Sequence, residues 1–184
     1  MEKGVSIVVE GRMPPELGLN KAEVRATLLW LYAPGAMDGG VLGDARAMES
    51  LTALPLLRET ERHTAEACMA SDGRLMGQPK ARPEPLFSLA RADETMGVYT
   101  NGHIAVGLLK TGRGTSVFSG VWSLDVPFIR DVMRRAGVHI YSETSDPIEA
   151  NDALVALHAR FPGRKTIRLP CKATVRSVPP DSAV

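Results

Sequence analysis

The chain has few of the residues that advertise a chemistry: of 184 residues, two are cysteine and four are histidine, 5% are aromatic, and the formal net charge is +1. Cys68 and Cys171 stand far apart with no CxxC partner, which argues against a disulfide framework or a zinc site, so both read as plain thiols. A net charge near zero leaves no electrostatic footprint for a nucleic acid or a membrane surface. No apolar run approaches the ~20 residues that cross a bilayer, and the stretch Val5 to Val9 is too short for the core of a secretory signal. The expectation is a cytoplasmic chain with neither a nucleic-acid nor a membrane partner. The length also falls short of a (β/α)8 barrel, which takes about 250 residues. What remains, 44% hydrophobic and 23% charged residues, is the composition of one well-buried globular domain.

Val5 to Val9 reads as a short strand, and Met13-Pro-Pro-Glu-Leu-Gly18 breaks any continuation, so residues 1–23 read as a loosely attached end. Ala26 to Tyr32 is continuously apolar and closes on Ala33-Pro34-Gly35, the pattern of a central strand covered on both faces. After the loop Asp38-Gly-Gly40, Asp44 can cap a helix with apolar positions Ala45, Met48, Leu51 and Thr52, ended by Pro55. Arg58 to Pro85 is rich in breakers and is expected to run over the surface, with at most one strand near Ala65 to Ala70. Order returns at Leu86 to Ala90. Gly97-Val-Tyr-Thr100 then meets His103 to Leu109 across Asn101-Gly102, a hairpin signal in which both turn positions would take positive φ. Thr111 to Gly114 turns the chain again into Thr115 to Ser119, completing an antiparallel meander.

A helix follows over Asp125 to Ala136, with Asp125 as cap, Pro127 in the first turn, Arg134 and Arg135 in the last, and Gly137 as stop. Val126, Ile129, Val132, Met133 and Ala136 are expected to share its buried face. Val138 to Tyr141, Leu154 to His158, Thr166 to Leu169 and Thr174 to Val178 read as further short strands, and residues 179–184 as a tail.

The phrases Leu29-Trp-Leu-Tyr-Ala-Pro-Gly35, Arg135-Ala-Gly-Val-His-Ile-Tyr141, Ala150-Asn-Asp152 with Ala156-Leu-His-Ala159, and Lys165-Thr-Ile-Arg-Leu-Pro170 occur in one order. Over residues 24–178 the chain thereby resembles the glutamine-amidotransferase-like module of bacterial glycoside hydrolases, the trimerisation domain of family 42 beta-galactosidases. The resemblance implies a flavodoxin-like α/β sheet with helices on its faces and antiparallel strand additions, here truncated at its N-terminus. It also implies a non-catalytic accessory role in carbohydrate metabolism: self-association, or contact with the barrel domain of a glycoside hydrolase, which holds the catalytic carboxylates.

A class I amidotransferase needs a cysteine on the turn after the strand ending at Tyr32. That turn reads Ala33-Pro34-Gly35, without a nucleophile. Cys68 lacks flanking glycines, and Gly112-Arg-Gly114 precedes a strand rather than the helix a phosphate cradle requires. None of His63, His103, His139 and His158 is paired at a ligand spacing such as HxxxH, and structural roles are favoured for His139 and His158, so no metal or cofactor is expected. Trp30 reads as core. The residues left for contact with a ligand or a second subunit are Trp122 and the carboxylates Glu143, Asp146, Glu149 and Asp152, for which a solvated loop is the plainer reading. Two alternatives stand beside the accessory role. One is a stand-alone hydrolase or amidotransferase-like enzyme using Cys68 or Ser119; the other is a carbohydrate-binding module using Trp122 and the Glu143 to Asp152 loop.

Overall fold

The computed structural model describes residues 5–8, 26–35, 37–38, 41–42, 45–111, 114–151 and 153–176. The expected break at Met13 to Gly18, the Asp44 cap, the turn residues Gly112 and Arg113, Asp152 and the tail 179–184 lie outside them. The chain forms two compact units, residues 1–138 and 139–184.

The first unit contains β1 (Val5–Val8), β2 (Ala26–Leu31), a two-residue ladder of β3 (Met37–Asp38) and β4 (Val41–Leu42), and α1 (Ala45–Thr52). There follow β5 (Leu56–Arg58), β6 (Ala65–Met69), β7 (Leu75–Gln78), β8 (Phe87–Leu89), β9 (Glu94–Val98), β10 (Ile104–Thr111), β11 (Gly114–Ser119) and α2 (Val126–Arg135). Nine strands form one mixed sheet in the order β1-β2-β11-β10-β9-β6-β7, with β8 added to β10 and β5 to β8.

This corrects the flavodoxin-like expectation. Only β1 with β2 and β2 with β11 are parallel; every other pairing is antiparallel, and two helices are present among the described residues. A parallel doubly wound sheet needs a crossover helix between successive strands. Here the described residues between 56 and 119 run through seven strands without an intervening helix.

The segment expected to run over the surface with at most one strand near Ala65 to Ala70 supplies much of that difference: β6 lies where that strand was expected, and β7 is added to it. Ala65, Ala67 and Met69 of β6 are buried while Cys68 is exposed, and β7 returns antiparallel with Met76 buried opposite Ala67. The alternation has period two, yet two of its inward positions are alanines, which give little apolar contrast in the sequence.

The sheet is buried on both faces. Leu29, Leu31, Met69, Met96, Val106 and Val117 pack in one cluster with Phe128 and Val132 of α2. Trp30, Leu56, Phe87, Leu89 and Phe118 pack in another with Met48 of α1. Adjacent residues of β2 and β11 thus serve opposite layers, and the Trp30 Nε1–H donates to Ser116 Oγ on the neighbouring strand at 3.3 Å. Phe128 and Val132 of α2 and its C-cap Ala136, one turn apart, are deeply buried, Val132 and Ala136 as expected; Val126, expected on that face, is 45% exposed. α1 ends where the Thr52 hydroxyl donates to the Met48 carbonyl and accepts from Leu54 N, with Ala53 at φ +60.

The β9–β10 hairpin forms as expected with a different turn. Gly102 N donates to Tyr99 O and Tyr99 N to His103 O, and only Gly102 takes positive φ, so the loop is three residues closed by a left-handed glycine. Register shifts between Ile104 and Gly107 bend β10. One edge of β10 then pairs with β11 from Val106 to Thr111 and with β8 at Ile104.

In the second unit, β12 (Ile148–Ala150) and β13 (Val155–Leu157) form a hairpin whose turn is closed by Asn151 Oδ1 accepting from Ala153 N and Leu154 N. The strands expected over 138–141, 166–169 and 174–178 do not form among the described residues. The first two runs meet through Arg168 N donating to Tyr141 O at 2.7 Å, a link too short to build a ladder.

Candidate functional site

At the C-terminal ends of the parallel strands β2 and β11 stand Tyr32 and Trp122, ring centroids 5.1 Å apart and nearly perpendicular. Tyr32 follows β2 with φ +57, a conformation that costs a non-glycine residue about 1–3 kcal/mol. It is held there by its own N–H donating to Ser119 O at 2.7 Å and its hydroxyl donating to Pro85 O at 2.6 Å. A strained residue at a strand end is where a nucleophile elbow places its serine or cysteine. Here it is a tyrosine with its hydroxyl engaged.

The other nucleophile candidates are placed equally plainly. Ser119 is buried and donates to Val121 O at 2.7 Å. Cys68 is exposed with its thiol toward Gly73 O at 3.6 Å, and Cys171 is exposed in the second unit.

The carboxylates expected to face a ligand divide by role. The Asp146 side chain is 3% exposed and is the knot of the second unit: it receives Lys165 Nζ at 2.7 Å, Thr144 Oγ1 at 2.7 Å and Arg160 N at 2.9 Å. The Lys165 contact, then Thr144 and the Arg160 amide, hold its carboxyl well below the usual carboxylate range. Glu143 is exposed and pairs with Arg168 at 3.1 Å. Glu149 is exposed on β12 opposite Ala156. Trp122 belongs to the first unit and is 38% exposed.

Of the histidines, His139 donates from Nε2 to Arg168 O at 2.7 Å, and His158 is exposed just beyond β13. His63 and His103 converge on Glu59. The Glu59 side chain, 2% exposed, meets His103 Nδ1 at 3.0 and 2.9 Å, Asn101 Nδ2 at 2.9 Å and His63 Nε2 at 3.4 Å. The Ser88 Oγ from β8 is fully buried without a closed hydrogen bond, yet its dipole acts on the same carboxylate. Burial is the largest single influence on Glu59 and raises its pKa. The dipole of the nearby Ser88 hydroxyl, with the hydrogen bonds from His103, Asn101 and His63, outweighs it and leaves the carboxyl below its ordinary value.

His63 also lies against the Tyr99 ring at 4.6 Å, and Tyr99 donates its hydroxyl to Phe87 O at 2.9 Å. Burial first, then the Glu59 charge, pushes the Tyr99 hydroxyl up and keeps it protonated. Among the described residues no three His, Cys, Asp or Glu side chains are arranged to hold a metal ion. In this cluster the imidazole nitrogens bond to the carboxylate itself.

A concavity of about 420 Å³ lies between α2, β9 and the β6–β7 turn, with Met69, Met96 and Phe128 in its lining. Its arginines are engaged: Arg74 with Asp125 at 2.7 Å and Asp72 at 2.5 Å, Arg135 with Glu94 at 2.6 Å and Asp131 at 2.8 Å. The cleft thus offers no unpaired charge to fix a charged ligand.

The Glu59 cluster is the feature that sequence reasoning missed. Its signal was Glu59 four residues before His63, and a histidine beside the Asn101-Gly102 turn, but the partners lie 44 residues apart and meet only through sheet pairing. No helix among the described residues is long and apolar enough to cross a membrane. Comparison with protein-family models and with curated proteins found no match.

Proposed function

We propose that the chain is a non-catalytic accessory module of a glycoside-hydrolase-like protein of the beta-galactosidase type, working through self-association or contact with a barrel domain. The observation that carries the non-catalytic part is Tyr32. At the strand end where an acyl-transfer enzyme would present a nucleophile, the strained residue is a tyrosine bonded to the Pro85 carbonyl. The engagement of Asp146 by Lys165 supports the same reading, because a glycosidase needs two available carboxyl groups about 5 to 9.5 Å apart across the sugar. The family assignment rests on the ordered phrases from Leu29 to Pro170 and on no feature of the fold.

Light scattering coupled to size exclusion, over a tenfold concentration range, tests the assembly part. A trimer near three times 19.8 kDa is expected if this segment carries assembly information by itself. A monomer throughout that also fails to bind a beta-galactosidase barrel would remove this function. Labelling at any serine or cysteine by a fluorophosphonate or, at unusual speed, by iodoacetamide would overturn the non-catalytic reading.

A further inference from the structure

We propose that residues 160–176 form an exposed basic strip that binds single-stranded nucleic acid. The net charge of +1 hides a segregation: this segment contains six Lys or Arg and no Asp or Glu. Arg160, Arg164, Arg168, Lys172 and Arg176 recur at every fourth residue, with Lys165 beside the second of them. No helix or strand forms here, and Pro162 and Pro170 keep the segment out of either, so the cations are spaced along irregular backbone.

The strip is fastened near its start and its middle. Asp146 accepts from Arg160 N at 2.9 Å and from Lys165 Nζ at 2.7 Å, while Tyr141 O accepts from Arg168 N at 2.7 Å and the Arg168 guanidinium meets Glu143 at 3.1 Å. The side chains of Arg160, Arg164, Lys172 and Arg176 are left exposed and without an acidic partner among the described residues. The second unit thus engages two of its own carboxylates and still presents four uncompensated cations. Such a row suits a linear polyanion, whose condensed counterions are released when the row neutralises it.

Two features select nucleic acid as the polyanion. Three of the four free cations are arginines, whose forked guanidinium matches a phosphate in two hydrogen bonds. Phe161 is 68% exposed, with the Arg160 guanidinium over its ring 5.8 Å from the centroid. An exposed ring among cations can stack an unpaired base while its phosphates are neutralised, and a duplex offers no free base face to it. A lipid surface would call for a contiguous apolar face, whereas the other exposed apolar side chains of the strip, Ile167 and Val175, stand apart from Phe161 in the chain.

Fluorescence anisotropy of the full chain with a labelled oligouridylate of about 20 nucleotides tests this. With four cations each displacing a counterion, affinity should fall roughly fiftyfold between about 50 and 200 mM salt. The triple variant Arg164→Gln, Lys172→Gln, Arg176→Gln retains one of the four, so it should bind more weakly and lose only about threefold over the same range. Phe161→Leu should bind roughly tenfold more weakly with the wild-type salt response, the loss of one stacked base. No binding at the lower salt, the wild-type salt response in the triple variant, or undiminished affinity in Phe161→Leu overturns the proposal. Equal affinity for a duplex of the same length, for polyglutamate or for phosphatidylserine vesicles overturns it as well.

Discussion

Arg74 and Asp125, 51 residues apart, meet through a carboxylate that works twice: Asp125 Oδ1 accepts from Phe128 N at 2.8 Å as the N-cap of α2, and Oδ2 accepts from Arg74 Nε at 2.7 Å. The helix start is thereby tied to the β6–β7 turn, as its C-terminal end is tied to β9 by the two-pronged Arg135–Glu94 pair. The Asp125 contact, working against burial, raises the Arg74 pKa, so this guanidinium stays charged over any accessible pH.

Removing the two roles separately should show their sizes. Asp125→Ala deletes cap and bridge and is expected to cost about 1–2 kcal/mol, or roughly 2–8 °C in Tm for a chain of this size. Asp125→Asn keeps a capping oxygen and should cost less than half as much. Equal losses in thermal melts would mean that the bridge, rather than the cap, holds α2.

Gly120 should tolerate no side chain. A Cβ there would stand 2.0 Å from Tyr99 Oη and 2.5 Å from Phe87 O, at the point where β11 leaves the edge of β10. Gly120→Ala is expected to cost about 1–3 kcal/mol as overpacking. Adding Tyr99→Phe, which removes the hydroxyl in the way, should recover part of that loss, and a double-mutant cycle by urea denaturation would show coupling between the positions. Strict additivity would place the strain elsewhere.

Acid should act through two carboxylates. Glu59 lies below its ordinary 4.5 and Asp146 below its ordinary 3.8, so each contributes stability that is present above those values and lost as pH falls through the lower folded ones. Glu59→Gln should flatten the acid limb of a Tm-against-pH curve for the first unit. Lys165→Met should move the acid loss of hydrogen-exchange protection at Arg160 N, which Asp146 Oδ1 accepts, to higher pH. Acid profiles identical to wild type in both variants would contradict these assignments.

The two tryptophans should separate by quenching. Trp122 is 38% exposed and Trp30 3%, so acrylamide should quench one fraction of the fluorescence, and Trp122→Phe should remove that fraction. If galactosides quench the same fraction up to millimolar concentration, the exposed ring takes sugar; flat titrations confine it to its edge contact with Tyr32.

Local signals were legible where one short segment contains the whole determinant. The apolar run of β2, the Asn101-Gly102 hairpin, and α2 with Asp125 before it and Gly137 at φ +75 after it all follow from nearest-neighbour chemistry. Of the β6–β7 hairpin the first strand was legible and β7 was not, because Met76 is its one buried residue, and the runs 138–141 and 166–169 misled because β-branched residues form a strand only where an edge receives them. The buried face of α2 was legible from Ile129 to Ala136 and misread only in its first turn, where the sheet beneath decides that Phe128 turns inward while Val126 does not.

By itself, the sequence determined a globular chain with one strongly capped helix, a central apolar strand and an antiparallel meander, because capping, turn geometry and period-two burial act within a few residues. Tertiary structure decided that the strands join a largely antiparallel sheet, that Asp146 is a structural knot, and that Glu59 gathers two histidines. Ala26 pairs with Gly114, Asp146 Oδ1 accepts from Arg160 N 14 residues on, and Glu59 meets His103 44 residues on, so these meetings are set by strand pairing and close packing rather than by spacing along the chain.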